Sequence, residues 1–161
     1  MNVTSTARNV RMSPKKVREV TRQIQGMPIA DAQAVLSAIP RKSARLVAKT
    51  LKTAIADAEH IRSEWSEGDV QNRVAEIKQD IENHTKEDGK LHRKYRHLPG
   101  KLARLESYLD SEHKLAENKL TIREAVVGAA TPLRRWRTRA RGGGSPIIKR
   151  TSHIRITLSD E

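Results

Sequence analysis

The chain has 161 residues, with 32 lysines and arginines against 19 aspartates and glutamates, a formal charge of +13 and a pI near 10.5. That length holds one domain with a modest core, or a smaller domain plus an extension, and a charge so far from neutrality points to a polyanionic partner, nucleic acid first. Cysteine is absent, which excludes disulfides, thiolate metal sites and cysteine nucleophiles; with only Trp65, Tyr95, Tyr108 and Trp136 as aromatics, recognition by charge and shape is favoured over a base-stacking platform.

No apolar run approaches the roughly 20 residues of a membrane helix, and Met1 to Arg8 lacks a hydrophobic signal core. A soluble, unprocessed, cytoplasmic protein without a membrane partner is the expectation. The first helix is well punctuated: Ser13 is placed to cap it, Pro14 stands where a missing amide costs nothing, and Gly26 is placed to end it. Val17, Val20 and Ile24 share its apolar face, and Lys15, Lys16, Arg18 and Arg22 fill the remainder.

A second helix is expected from Ile29 to Ile39, closed by Pro40, which also opens the third. In that third helix Ala44, Val47, Ala48, Leu51, Ala54, Ile55 and Ala58 trace a continuous stripe at spacings of three and four. Lys42, Arg45, Lys49 and Lys52 recur on the other side as a cationic ridge. A solvated face is the ordinary explanation of such a ridge, and the charge of the whole chain argues for RNA contact instead.

From 61 to 117 the composition changes, to 11 lysines and arginines against 12 aspartates and glutamates, which leaves 21 against 7 for the flanking parts. Val70, Val74, Ile77 and Ile81 mark one amphipathic helix here and Leu98, Leu102, Leu105 and Leu109 another, with Gly89 and Pro99-Gly100 as punctuation between them. An inserted helical hairpin is the economical reading, with a disordered, charge-mixed segment as the alternative.

The C-terminal part switches to a period of two. Leu120 and Ile122 alternate with Thr121 and Arg123, and Ile154, Ile156 and Leu158 with Arg155 and Thr157, as in two half-buried strands forming the root of an antiparallel pair. Between them LRRWRTRARGGGSPIIKR, from Leu133 to Arg150, keeps the period and contains no acidic residue, so that Arg135, Arg137, Arg139 and Arg141 are expected along one strand face. Guanidinium groups about 7 Å apart repel one another on a water-exposed ribbon and need anions to settle them. Gly142, Gly143, Gly144, Ser145 and Pro146 supply turn chemistry for the far end of a long hairpin, about 126 to 153. About 14 residues at roughly 3.3 Å each reach on the order of 45 Å, against a radius of gyration of about 15 Å for a body this small, so most of the arm must project.

These residues carry a resemblance. The run from Leu120 to Ser159, above all LRRWRTRARG followed by KRTSHIRITLSD, resembles the C-terminal hairpin of the large-subunit ribosomal protein L twenty-two family in its bacterial form. ARNVRMSPKKVR from Ala7 to Arg18 and AIADAEH from Ala54 to His60 resemble that family's opening helix and the end of its long helix. The resemblance implies an α+β body, helices on a small antiparallel sheet, with a long protruding hairpin. It implies a structural constituent of the large ribosomal subunit, binding its rRNA and neighbouring large-subunit proteins and supporting assembly. It also implies that the hairpin tip lines the exit tunnel and meets the nascent peptide. Residues 1–60 and 118–161 would form the rRNA-binding domain; the resemblance describes nothing of 61–117, which reads as this sequence's own extension. GAAT at Gly128 to Thr131 replaces a more acidic, Gly-Pro-containing turn, and Gly143, Pro146 and Ile148 stand where the family often carries arginine or another polar residue.

The candidate rRNA-binding residues are Arg134, Arg135, Trp136, Arg137, Arg139, Arg141, Lys149 and Arg150 on the hairpin, with Lys15, Lys16, Arg18, Lys42, Lys49 and Lys52 on the helices. Trp136 either packs on a base or ribose or anchors the two arms against each other. The tunnel-lining tip would comprise Thr138, Arg139, Ala140, Arg141, Gly142 and Gly143. Of the histidines His60, His84, His92, His97, His113 and His153, none sits in a zinc-binding arrangement; His153 is expected to make a hydrogen bond within its strand. GGGSP lacks the Gly-Lys-Ser/Thr ending of a phosphate-binding loop and no nucleophile has a base beside it, so neither an enzyme nor a cofactor is expected. A homo-oligomer is not expected either. The charge alone would also suit a free, nucleoid-type nucleic-acid-binding protein, although no groove-reading module is recognisable.

Overall fold

The computed structural model describes residues 1–85, 91–111 and 114–160, so Gly89 and His113 lie outside the described residues. In chain order the elements are β1 (Asn2–Val10), α1 (Pro14–Ile24), α2 (Ile29–Ala38), α3 (Lys42–Glu64), α4 (Glu67–Asn83), α5 (Leu98–Asp110), β2 (Thr121–Thr138) and β3 (Gly144–Ser159). The strands form one antiparallel sheet in the order β1-β3-β2, with β3 central. Five helices and this sheet make the α+β body that the resemblance implies.

The sheet presents one face to the helices. Ile122, Ala125 and Val127 of β2 and Ile154, Ile156 and Leu158 of β3 are buried there, meeting Val17, Val20 and Ile24 of α1 and the stripe of α3 in one core. Each fully buried aliphatic chain of this kind contributes about 1.5–3 kcal/mol. Small residues on α3, with Ala44, Ala54 and Ala58 wholly buried, let its backbone approach its neighbours closely.

No periodicity announces β1. Asn2 to Val10, in a stretch whose sequence shows only the lack of a signal core, pairs with β3 from Asn2↔Ser159 to Val10↔Ser152. Its inward positions are Val3, Ser5 and Ala7, too weakly apolar to announce a half-buried strand.

Helix punctuation differs in detail. Ser13 stands at the start of α1 without a side-chain cap bond; its carbonyl instead accepts from the Lys16 and Val17 amides at 3.1 and 3.3 Å. Gly26 follows that helix at φ +81°, a conformation costly for any residue with a Cβ, and its amide donates to the Ile122 carbonyl at 2.7 Å. Pro40 follows α2 but does not open α3, which begins at Lys42. Pro99 and Gly100 lie inside the first turn of α5 rather than before it, where the missing proline amide has no intrahelical partner to lose.

In the central segment α4 packs on α5, burying Val70, Val74 and Ile77 with Leu98 and Leu105. Lys78 and Glu106 bridge the two helices at 3.0 Å. Tyr108 ties α5 to the end of α3: its hydroxyl donates to the Trp65 carbonyl at 3.1 Å, and the two rings meet edge to face at 5.1 Å. The Met1 ammonium pairs with the buried Asp160 carboxylate, which also accepts from the Leu115 amide at 3.1 Å. Burial pushes the Asp160 carboxyl up, but the hydrogen bonds from the Met1 ammonium, the Leu115 amide and the Ser111 side chain outweigh it and hold the group below the ordinary aspartate range. No helix among the described residues is long and apolar enough to cross a membrane.

Candidate nucleic-acid interface

Strands β2 and β3 pair beyond the body as a two-stranded ribbon. Pairing runs from Thr121↔Ser159 to Thr138↔Gly144, with irregularities between Ile122 and Glu124 and between Ala130 and Leu133. The alternation read from Leu120 to Arg123 holds, with Leu120 and Ile122 buried and Arg123 exposed; the first irregularity only ends it, leaving Arg123 and Glu124 both exposed before buried Ala125. At the second, Thr131 and Pro132 face the single Arg150, a bulge that accommodates a proline inside a paired strand. From Arg134 to Gly144 every residue is exposed, and beyond Thr151 no residue of the ribbon is buried.

Cross-strand partners point to the same face of an antiparallel pair. The register therefore places Leu133, Arg135 and Arg137 on one face with Lys149, Ile147 and Ser145. Arg139 joins this face, since its Nε donates to the Ser145 hydroxyl at 2.9 Å. Arg141 does not: it sits in the turn at φ +57°, inside the short helical segment Ala140–Gly142, so the expectation of four arginines on one strand face is corrected to three. The turn spans Arg139 to Gly143, closed by the Arg139 amide donating to the Gly143 carbonyl at 2.8 Å. Gly144, Ser145 and Pro146, read as turn residues, belong to β3 and pair with Thr138, Arg137 and Trp136. Trp136 lies across the opposing strand: a Cβ at Gly144 would come within 3.2 Å of its ring.

Between Glu124 and Asp160 the chain has no carboxylate, so nothing within the ribbon neutralises Arg134, Arg135, Arg137, Arg139, Arg141, Lys149 and Arg150. In water such an array repels itself by an amount that shrinks only when anions intervene. The helical candidates are all exposed, but they are not one surface. Lys15 and Lys16 stand in the first turn of α1 and Arg18 donates from Nη2 to the Val127 carbonyl at 3.4 Å, so that this cluster adjoins the place where the ribbon leaves the body. On α3 the ridge divides. Lys49 lines a cleft of about 430 Å³ against β1, and Arg45 and Lys52 line a groove of about 690 Å³ against α2.

Sequence reasoning missed Arg8 and Arg11, exposed at the irregular end of β1 where Val10 meets Ser152. Arg11 shares the cleft with Lys49. No periodicity signals them, since they flank a residue, Asn9, in the left-handed region at φ +54°. His153 bonds across strands rather than within its own, its Nδ1 accepting from the Asn9 amide at 3.2 Å. Among the described residues no group of three histidines or carboxylates is arranged to hold a metal ion.

A comparison with known proteins fits this geometry. The model of the family described as ribosomal protein L22p/L17e matches residues 5–86 and 91–159. The chain belongs to this family. Similar L22p/L17e relatives include the large ribosomal subunit protein uL22 of Opitutus terrae, 32% identical over 160 residues that cover 99% of this chain and 96% of the relative. The protein of the same description from Lactobacillus gasseri is 30% identical over 155 residues, covering 96% of this chain and 89% of its own. The L22p/L17e match runs into the segment 61–117 from both sides, and the Opitutus alignment takes in nearly all of both proteins. L22p/L17e proteins are structural and non-enzymatic.

Proposed function

We propose that this chain is a structural constituent of the large ribosomal subunit, cytoplasmic with the ribosome, that binds large-subunit rRNA chiefly through the β2–β3 ribbon. The observation that carries the reading is the ribbon itself: every residue from Arg134 to Gly144 is exposed, and no carboxylate lies between Glu124 and Asp160. An isolated two-stranded hairpin is marginal in water, so a polyanion that threads around it supplies both counter-charge and support. Arg135, Arg137 and Arg139 on one face would engage phosphates, with Arg134, Arg141, Lys149 and Arg150 completing the array. Lys15, Lys16 and Arg18 at the ribbon's root, and Lys42, Lys49 and Lys52 on α3, would seat the body on rRNA beside neighbouring large-subunit proteins. The tip, Thr138 to Gly143, would reach the wall of the exit tunnel and meet the nascent peptide.

Binding of the purified chain to large-subunit rRNA fragments should weaken steeply with salt, with a log–log slope near 0.7 to 0.9 per neutralised phosphate. A constant affinity from low to moderate salt contradicts the proposal. A photoreactive group placed at Thr138 should crosslink to nascent chains in translating ribosomes, and crosslinking to rRNA alone would remove the tunnel assignment.

A further inference from the structure

The ribbon has a second face whose chemistry differs from the arginine face. The register that groups Arg135 and Arg137 with Lys149 sets Arg134 and Trp136 on the opposite side, together with Ile148 and Pro146. On that side Trp136 is 77% exposed and Ile148 56%, the two most exposed large apolar residues among those described. The indole touches the opposing strand at Gly144, where an added Cβ would come within 3.2 Å of its Cε3, and the rest of the ring is largely exposed.

We propose that Trp136 is a stacking platform for an unpaired RNA base, extended by Pro146 and Ile148, so that the two faces of one ribbon divide the nucleotide between them: phosphates on the arginine face, a base on the indole. The inference rests on the rRNA-binding reading above and names which part of the RNA meets which face. A flat aromatic ring whose rim is cationic, with Arg134 beside it and no carboxylate within the ribbon, suits a planar apolar group bordered by negative charge. An unpaired nucleotide has both properties, and a base inside a duplex has no face left to offer. An apolar protein segment would match the indole but not its cationic surround. The low aromatic content of the chain excludes a broad stacking surface, and a single well-placed ring needs no such surface.

The test uses the full chain carrying Trp65→Phe, which leaves Trp136 as the sole tryptophan. Its emission should be quenched by single-stranded oligoadenylate and left unchanged by an RNA duplex of equal charge. Trp136→Ala should weaken oligoadenylate binding about 10-fold, the range of one base–aromatic stack, without changing duplex affinity or the salt slope. Trp136→Phe should keep most of the affinity and Trp136→Leu should not. Oligoadenylate bound with unquenched emission and unaffected by Trp136→Ala would overturn the stacking site while leaving the rRNA reading in place; absence of binding to either RNA would overturn both. Equal affinities of the Phe and Leu variants, or equal losses for single strand and duplex in Trp136→Ala, would also overturn it, the first by pointing to an apolar protein segment as the occupant.

Discussion

Two halves of the same strand pair behave as different materials. Toward the body, β2 and β3 rest on helices and bury Ile122, Val127, Ile154 and Ile156; beyond Ala130 and Thr151 they have only each other, and most of their side chains are cationic or exposed apolar groups. The difference teaches that stability and recognition are separated along one continuous ribbon. The root is held by hydrophobic burial, which is complete without a partner, and the distal part awaits one.

The sharpest way to break this comparison is a pair of truncations. Ile156→Ala should cost about 3 kcal/mol or more and lower Tm by roughly 8 °C, because the residue is wholly buried between sheet and helices. Ile148→Ala, in the exposed distal part, should change stability by less than about 0.5 kcal/mol. Thermal unfolding followed by circular dichroism distinguishes them, and similar losses for both would mean that the ribbon is supported along its whole length.

The converse experiment reverses charge. Arg135→Glu with Arg137→Glu should weaken rRNA binding on the order of 100-fold at low salt and flatten the salt slope, with Tm unchanged within about 2 °C. Filter binding across a salt series reads the first effect, and a fall in Tm of the free protein would show that these arginines also hold the fold.

A smaller effect should follow pH. The Asp160 carboxyl is held below its ordinary range in the folded chain, so its contribution is present above the unfolded aspartate pKa of about 4 and is lost as pH falls through the lower folded value. Tm should therefore fall on acidification below about pH 4, and Asp160→Asn should flatten that dependence. The distal ribbon has no carboxylate and takes no part in it. Smallest of all is Ser152→Ala. The Ser152 hydroxyl is fully buried without a hydrogen-bond partner among the described residues, so removing it should raise stability by up to about 1 kcal/mol in chemical denaturation.

Much of the body was legible in the sequence because its signals are local. The α3 stripe, Pro14 at the first turn of α1 and the alternation of Ile154, Ile156 and Leu158 each follow from spacing within one element. What escaped depends on partners distant in the chain. β1 is a strand because β3 pairs with it, not because VTSTARNV declares one. The bulge at Thr131-Pro132 decides the register of the distal strands, and so decides that Trp136 and Ile148 share a face. The grouping of Arg135, Arg137 and Arg139 was readable from a period of two, but the departure of Arg141 was not, since it needs the conformation of the turn. Arg8 and Arg11 join the candidate surface through an irregularity that no sequence pattern announces.

The order β1-β3-β2 has a temporal consequence. Translation delivers the two flanking strands first, and they do not pair with each other; the strand both require comes after them. The sheet is therefore closed only once the chain has been made through Ser159, and closing it joins Asn2 to Ser159 across nearly the whole length of the polypeptide. Such long-range pairing is slow to form, so the parts of α1 and α3 that pack on β3 stay uncovered until the central strand arrives.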